Sequence, residues 1–265
     1  MKKALPNEFI FQLFALLIAV ILVHAVYVTV IRPNAAELEA EQTRMIEEDP
    51  NYIVERSFYI IVQDFEQEAC FILMLWAFSI MGYKGLAALR ERALLQEEFV
   101  PIAAGMRILP EDTREYARQI QELPADQRRL LLPRVLLTAL QRFSATGNVQ
   151  DVAATTHTLI ENEAERLDSE LSMVRYIAWA IPSIGFIGTV RGIGAALAQA
   201  HRAVEGDISG VTQSLGVAFN STFIALLISI VLMFLVHQLQ ALQERQVFDA
   251  SAYADDRLIR HLQAG

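Results

Sequence analysis

Thr189 and Thr222 each stand on a stripe of small residues within a long apolar run. In the first run Gly185, Gly188, Gly192 and Ala195 or Ala196 recur at three- and four-residue spacing, which lets a second membrane helix pack closely; Thr189 shares a face with Gly185 and Gly192. In the second run Ala218, Thr222, Ala225 and Ser229 fall on one weakly polar stripe. Two uses of such hydroxyls stay open. Neighbouring helices can join them into a narrow polar track for a cation, or each can bond the carbonyl four residues back and serve ordinary packing. Pro182 frees a carbonyl one turn earlier and offers a kink point, and in a membrane that carbonyl needs a compensating contact. Arg191 is a charge at expected membrane depth, hence a candidate gate. Its expected partners are Glu205 or Asp207 of the short external loop, or a carboxylate of another subunit, with snorkelling to the headgroups as the alternative.

Other chemistry is sparse. No Asp or Glu falls within 176–200 or 209–243, so an ion-binding carboxylate is expected from another chain. His24 and His237 titrate in a range suited to proton relay, but a lone histidine in an apolar helix is more often packed or interfacial. The single cysteine, Cys70, excludes an intrachain disulfide and a thiol metal cluster built by this chain alone. No phosphate-binding glycine loop, nucleophile elbow or metal-spaced His/Cys set is present, so hydrolysis and ATP-driven transport lack a signature. The expectation is a protein that is not an enzyme, with no cofactor and no bound metal.

The elements that must carry these residues are membrane helices. The 265 residues are 54% hydrophobic and 20% charged, with the apolar residues gathered in runs, which excludes a disordered chain and an ordinary soluble enzyme. A net charge of −9 makes nucleic acid a poor partner. Residues 9–31 are 23 positions without Lys, Arg, Asp or Glu, long enough to cross a bilayer of roughly 30 Å, and read as an uncleaved anchor rather than a signal peptide. A second span covers 69–90 if Lys84 snorkels, a third starts at Tyr176, and a fourth starts at Ser209. The expected fold is all-α, a polytopic membrane protein with four transmembrane helices and a helical cytoplasmic domain.

Orientation follows from the basic residues near the membrane ends. Between Arg32 and Glu68 only Arg32, Arg44 and Arg56 face ten carboxylates, whereas between Lys84 and Arg175 there are twelve basic residues. The first loop therefore reads as external and the second as cytoplasmic, with Lys2, Lys3 and the tail containing Arg245, Arg257 and Arg260 inside. The expected divisions are 1–32 (first span), 33–68 (acidic periplasmic segment), 69–90 (second span), 91–175 (helical cytoplasmic domain), 176–240 (third and fourth spans) and 241–265 (cytoplasmic tail). Within 91–175 Leu, Ala, Glu, Arg and Gln favour helices, with turns at Pro110 and at Gly147-Asn148. A last helix is expected to run from near Asp151 directly into the third span. The charge-dense stretch 161–170 reads as a solvated face or a docking surface. The acidic run from Glu37 to Asp49 reads as an external cap or linker, or as a means of concentrating cations at a pore mouth.

Pro182, Gly185 and Gly188-Thr189-Val190 in one span, followed by Ala218, Thr222 and Ala225-Leu226 in the next, resemble the paired motif of the MotA/TolQ/ExbB channel family. The resemblance covers roughly 159–239 and is not evident in the first span or the acidic loop. Two departures stand out: Ala225 where glycine is frequent, and Val217 where some members carry glutamate at the start of the last span. The resemblance implies a homopentamer around two copies of a MotB/TolR/ExbD-like single-span subunit with an essential aspartate. It implies that H+ or Na+ passing that aspartate drives rotation, with Thr189 and Thr222 lining the ion path and Pro182 setting helix geometry. The implied setting is the bacterial inner membrane, with the lipid bilayer as solvent and both termini cytoplasmic. The output implied is mechanical work in flagellar rotation, gliding, nutrient uptake, envelope maintenance or phage defence. The rival expectation is a non-conducting membrane scaffold or sensor whose small-residue helices only hold an oligomer together.

Overall fold

The computed structural model describes residues 7–49, 52, 57–97, 99–101 and 106–263. Lys2, Lys3 and Arg56, which enter the charge-based orientation, lie outside the described residues. The protein is all-α, and among the described residues the only extended pairing is a single bridge between Ile108 and Leu262. Four helical stretches are long and apolar enough to span a membrane: Glu8–Glu48, Phe65–Leu94, Val149–Ala198 and Ser209–His261.

Helix α1 (Asn7–Val26) continues through a π-helical turn, Tyr27–Ile31, into α2 (Arg32–Glu48). Pro33 accounts for the wide turn, because its ring crowds the carbonyl four residues back and it has no N–H to donate. The first acidic segment is thus largely helical, with Glu39 accepting from Gln63 Nε2 at 2.6 Å. A short α3 (Phe58–Val62), then Gln63 and Asp64, lead to α4 (Phe65–Leu94).

The chain falls into two compact units, Met1–Gly82 with Met173–Val236 and Tyr83–Ser172 with His237–Gly265. The first holds α1 to α3, most of α4, α8 (Ser172–Ala198), α9 (Ala200–Val204) and the start of α10 (Ser209–Arg257). Ala19, Ala77, Ala178, Ala218 and Ala225 are buried in it beside Ile80, Ile177, Ile181 and Leu232, while Phe14, Leu17, Phe186, Ile187, Phe223 and Ile230 are exposed. That arrangement suits a lipid solvent, in which large apolar side chains gain nothing by hiding and small ones let helices approach.

The second unit holds the rest of α4 and α10 with α5 (Thr113–Gln121), α6 (Leu131–Thr146) and α7 (Val149–Glu170). Its core is a continuous apolar cluster: Leu131, Leu132, Val135, Leu136, Leu140 and Phe143 of α6 are all buried. The Glu91 carboxylate accepts from the Leu131 N–H at 2.9 and 3.0 Å, serving the start of α6, which has no cap from its own N-cap residue. At the other end Gly147 adopts the left-handed region (φ 60°) and its N–H reaches Phe143 O at 2.8 Å. Asn148 Oδ1 then caps α7 by accepting from the N–H groups of Gln150 and Asp151.

Three sequence expectations change. The helix running toward the third span is interrupted by a turn at Leu171, between α7 and α8. Lys84 does not snorkel: it is buried, and its Nζ lies 2.6 Å from Glu170 Oε2. The charge run 161–170 is only in part a solvated face, because Glu163 is buried between Arg134 (2.6 Å) and Arg166, while Arg166 also pairs with Glu170 at 2.9 Å. Spacing of three and four residues places Glu163, Arg166 and Glu170 on one side of α7.

Candidate functional site

Helices α8 and α10 approach so closely that three glycines have no room for a side chain. A Cβ on Gly185 would sit 2.5 Å from Ala225 Cβ, and one on Gly192 would sit 2.7 Å from both Ala218 N and Ser214 O. A Cβ on Gly188 would run into the Ser221 side chain. Gly194, by contrast, has open space where its Cβ would be. The stripe Gly185, Gly188, Gly192 therefore faces α10 along its length, opposite Ala218, Ser221, Thr222 and Ala225.

Hydroxyls cross-link this pair. Thr222 Oγ1 donates to Gly185 O at 3.1 Å, and Thr189 Oγ1 lies within donating distance of Ala218 O (3.1 Å) and Gly185 O (3.3 Å). Thr189 Oγ1 and Thr222 Oγ1 touch each other. Two turns further along, Ser229 Oγ donates to Ala178 O at 3.1 Å. Ala178 is four residues before Pro182, so its carbonyl is the one the proline leaves without a helical donor. The compensating contact that a proline in a membrane helix requires is thus supplied by α10.

The two threonines are half-buried. Each hydroxyl has one proton and two lone pairs, and with one proton between the two oxygens and the other on a backbone carbonyl, lone pairs are what the pair offers to its surroundings. A site of that kind is acceptor-rich, neutral and fixed by helix backbone.

Charged groups gather at the start of α4. Arg191 Nε and Nη2 donate to Glu66 Oε1 and Oε2, both at 2.7 Å, and Nη2 also lies 3.3 Å from Asp64 Oδ1. The expected partners Glu205 and Asp207 are therefore not the ones Arg191 takes; Asp207 instead caps Ser209, accepting from its N–H at 3.2 Å. Nor does Arg191 snorkel unpaired. A second pair lies alongside: Glu68 accepts from Arg32 Nη2 at 2.5 Å, and its other oxygen is 2.7 Å from His24 Nδ1. His24 is thus a partner of a buried carboxylate rather than a lone packed ring. Glu66, Gln67 and Glu68 are all buried. Burial pushes the Asp64 carboxyl above the usual carboxylate range, against the opposing pull of Arg191.

Sequence spacing brought the threonines and glycines together but missed Asp64, Glu66 and Glu68. Their signal was present: three carboxylates within five residues leading into an apolar run, with few basic residues nearby in sequence. Asp64 Oδ2, Gln67 Oε1 and the Tyr27 hydroxyl are buried without a partner in this unit. No group of His, Cys, Asp and Glu among the described residues is arranged to hold a metal ion.

A polytopic helical membrane protein with a glycine-seamed, hydroxyl-linked helix pair is what fold and site define. Residues 127–251 match the model of the MotA/TolQ/ExbB proton channel family. The match extends beyond 159–239, where the motifs are legible, and takes in α6 and α7. No curated protein and no solved structure gives a match.

Proposed function

We propose that this chain is the ring-forming subunit of an ion-driven motor, a homopentamer around two copies of a single-span partner that bears a membrane carboxylate. Flow of H+ or Na+ across the bacterial inner membrane is coupled to rotation and mechanical work, with both termini cytoplasmic and no enzymatic step or cofactor. The observation that carries this reading is the contact between the Thr189 and Thr222 hydroxyls on a face that is half open. The match of residues 127–251 to a proton channel family supports it.

The chain's own residues divide the work. Gly185, Gly188 and Gly192, with Ala218 and Ala225, let α8 and α10 touch, so the hydroxyls are held by backbone rather than by flexible side chains. Thr189 and Thr222 present oxygen acceptors to the ion beside the partner's carboxylate. Pro182 and Ser229 fix the helix pair on the inner side of that point. Arg191, paired with Glu66 and Asp64, is the gate of this arrangement, opening when the pair shifts.

The test is Thr189→Val and Thr222→Val, which keep shape and remove the hydroxyl. The motor reading expects assembly to persist, as counted by native mass spectrometry of the complex, and ion flux to vanish. Unchanged flux in both variants sinks it in favour of the scaffold. An Arg191→Ala variant with unaltered flux and assembly removes the gate alone.

A further inference from the structure

Residues 176–200 and 209–243 contain no carboxylate, yet the fold brings one to the seam of α8 and α10. Glu66, at the start of α4, is buried (9% exposed) and its stem lies against Gly188. A Cβ on Gly188 would sit 3.2 Å from Glu66 Cγ on one side and 2.6 Å from Ser221 Oγ on the other. Gly188 is the residue before Thr189. The same missing side chain that lets α10 approach therefore also admits the Glu66 side chain, against the residue that precedes Thr189.

The charge balance there is incomplete. Glu68 meets Arg32 and His24, but Glu66 and Asp64 share the single guanidinium of Arg191. Among the described residues, two carboxylates against one cation leave a net charge of about −1, with the carboxylates largely out of water and Arg191 48% exposed. The deficit shows in the hydrogen bonding: among the described residues Asp64 Oδ2 is buried with no donor. Gln67, wholly buried on the same turn, likewise has its carbonyl oxygen without a donor. The unfilled acceptor on Asp64 and the missing positive charge beside it are both met by a monovalent cation.

Resting on the motor reading, we infer that Glu66 is this chain's own cation-carrying carboxylate, taking H+ or Na+ from the outer side and passing it to the Thr189–Thr222 hydroxyls. For a proton the step is a transfer only: the carboxylate accepts H+, Arg191 keeps Asp64 as its counter-ion, and the pair with Arg191 re-forms when H+ leaves. For sodium the carboxylate and hydroxyl oxygens act as ligands and no bond to hydrogen changes. The groups facing Glu66 are Arg191 from α8, Asp64 from the turn before α4, and Cys70 one turn further along α4; Glu39 of α2 acts on Asp64. Arg191 is then a positioning residue that holds the carboxylate at Gly188 as well as a gate.

Dicyclohexylcarbodiimide separates a carrier from a fixed ion pair, because it adds to a protonated carboxyl in apolar surroundings and leaves a stable acylurea. Purified full-length chain is treated across a pH series and the Glu66 peptide is read by mass spectrometry. Labelling of Glu66 that falls as pH rises is expected, with Na+ protecting it if sodium is the ion carried. Absence of labelling at every pH overturns the inference.

Flux is then measured in membrane vesicles from cells that co-express the single-span partner. Glu66→Gln is expected to lower flux by roughly a hundredfold, as loss of a proton-transfer group does. Glu66→Gln combined with Arg191→Gln, which removes both charges and so leaves no unpaired cation, stays equally low. Recovery of wild-type flux in the double variant means that Glu66 only neutralises Arg191, and overturns the inference while the motor reading stands. A wild-type complex without flux overturns both.

Discussion

In the unit built around α6, helices are joined by Leu136, Leu140 and Phe143 packing into a closed apolar core, whereas in the unit containing α8 the closest joints are glycine against backbone and hydroxyl against carbonyl. The ionic clusters differ in the same sense. Glu163 is shared by two guanidiniums, those of Arg134 and Arg166, while Arg191 is shared by two carboxylates. Water supplies a hydrophobic drive that lipid does not, so the first unit must rely on close contact and polar bonds where the second relies on apolar area. The contrast also separates a saturated cluster, suited to holding helices, from an unsaturated one with acceptors to spare.

The sharpest way to break this contrast is to add a methyl group where the first unit has no room. Gly192→Ala places a Cβ at 2.7 Å from two backbone atoms of α10, and backbone cannot rotate away as a side chain can. Overpacking of this kind costs roughly 1–3 kcal/mol, so the full-length protein in detergent is expected to unfold at a clearly lower temperature. Gly194→Ala on the same helix meets nothing within 4 Å and is expected to be neutral or slightly stabilising. Equal behaviour of the two variants would mean that α8 does not use this face.

A smaller effect probes the saturated cluster. Burial works to raise Glu163, but the bonds and charges of Arg166 and Arg134 outweigh it and hold the carboxyl below the usual glutamate range. Its contribution to stability is therefore fully present above the unfolded value, about 4.3, and is lost as pH falls through the depressed folded value. Glu163→Gln is expected to cost roughly 1 kcal/mol at neutral pH, discounted because both guanidiniums are partly exposed. It should also flatten the acid limb of the stability curve. An acid limb identical to wild type would show that other carboxylates control it.

Much of the scaffold was legible because its signals are local. Long uncharged runs gave the four spans, glycine spacing gave the face of α8, and Gly147-Asn148 gave the break between α6 and α7. The ionic partners were not legible, since proximity in sequence pointed Arg191 toward Glu205 and Asp207 while the fold gives it a partner 125 positions away. The run 161–170 was uniform as composition, and only its three- and four-residue spacing distinguishes the buried Glu163 from the exposed Glu161 and Glu165. Lys84 was read by its distance to a membrane end, when what decides its fate is Glu170.

The smallest effect tests whether proline and serine act as one device. Ser229→Ala leaves the Ala178 carbonyl, already deprived of a helical donor by Pro182, without any donor in this unit. Hydrogen bonds between membrane helices average about 0.6 kcal/mol and reach roughly 1.7, so a cost in that range is expected from thermal unfolding in detergent. Pro182→Ala restores an N–H at position 182, which can bond the same carbonyl. In that background Ser229→Ala is expected to cost almost nothing, because the acceptor is satisfied from its own helix. Coupling of this sign in the double-mutant cycle ties the proline to its neighbour's hydroxyl. Equal costs in the two backgrounds would leave Ser229 as a packing residue and Pro182 without the contact that makes it tolerable inside a membrane helix.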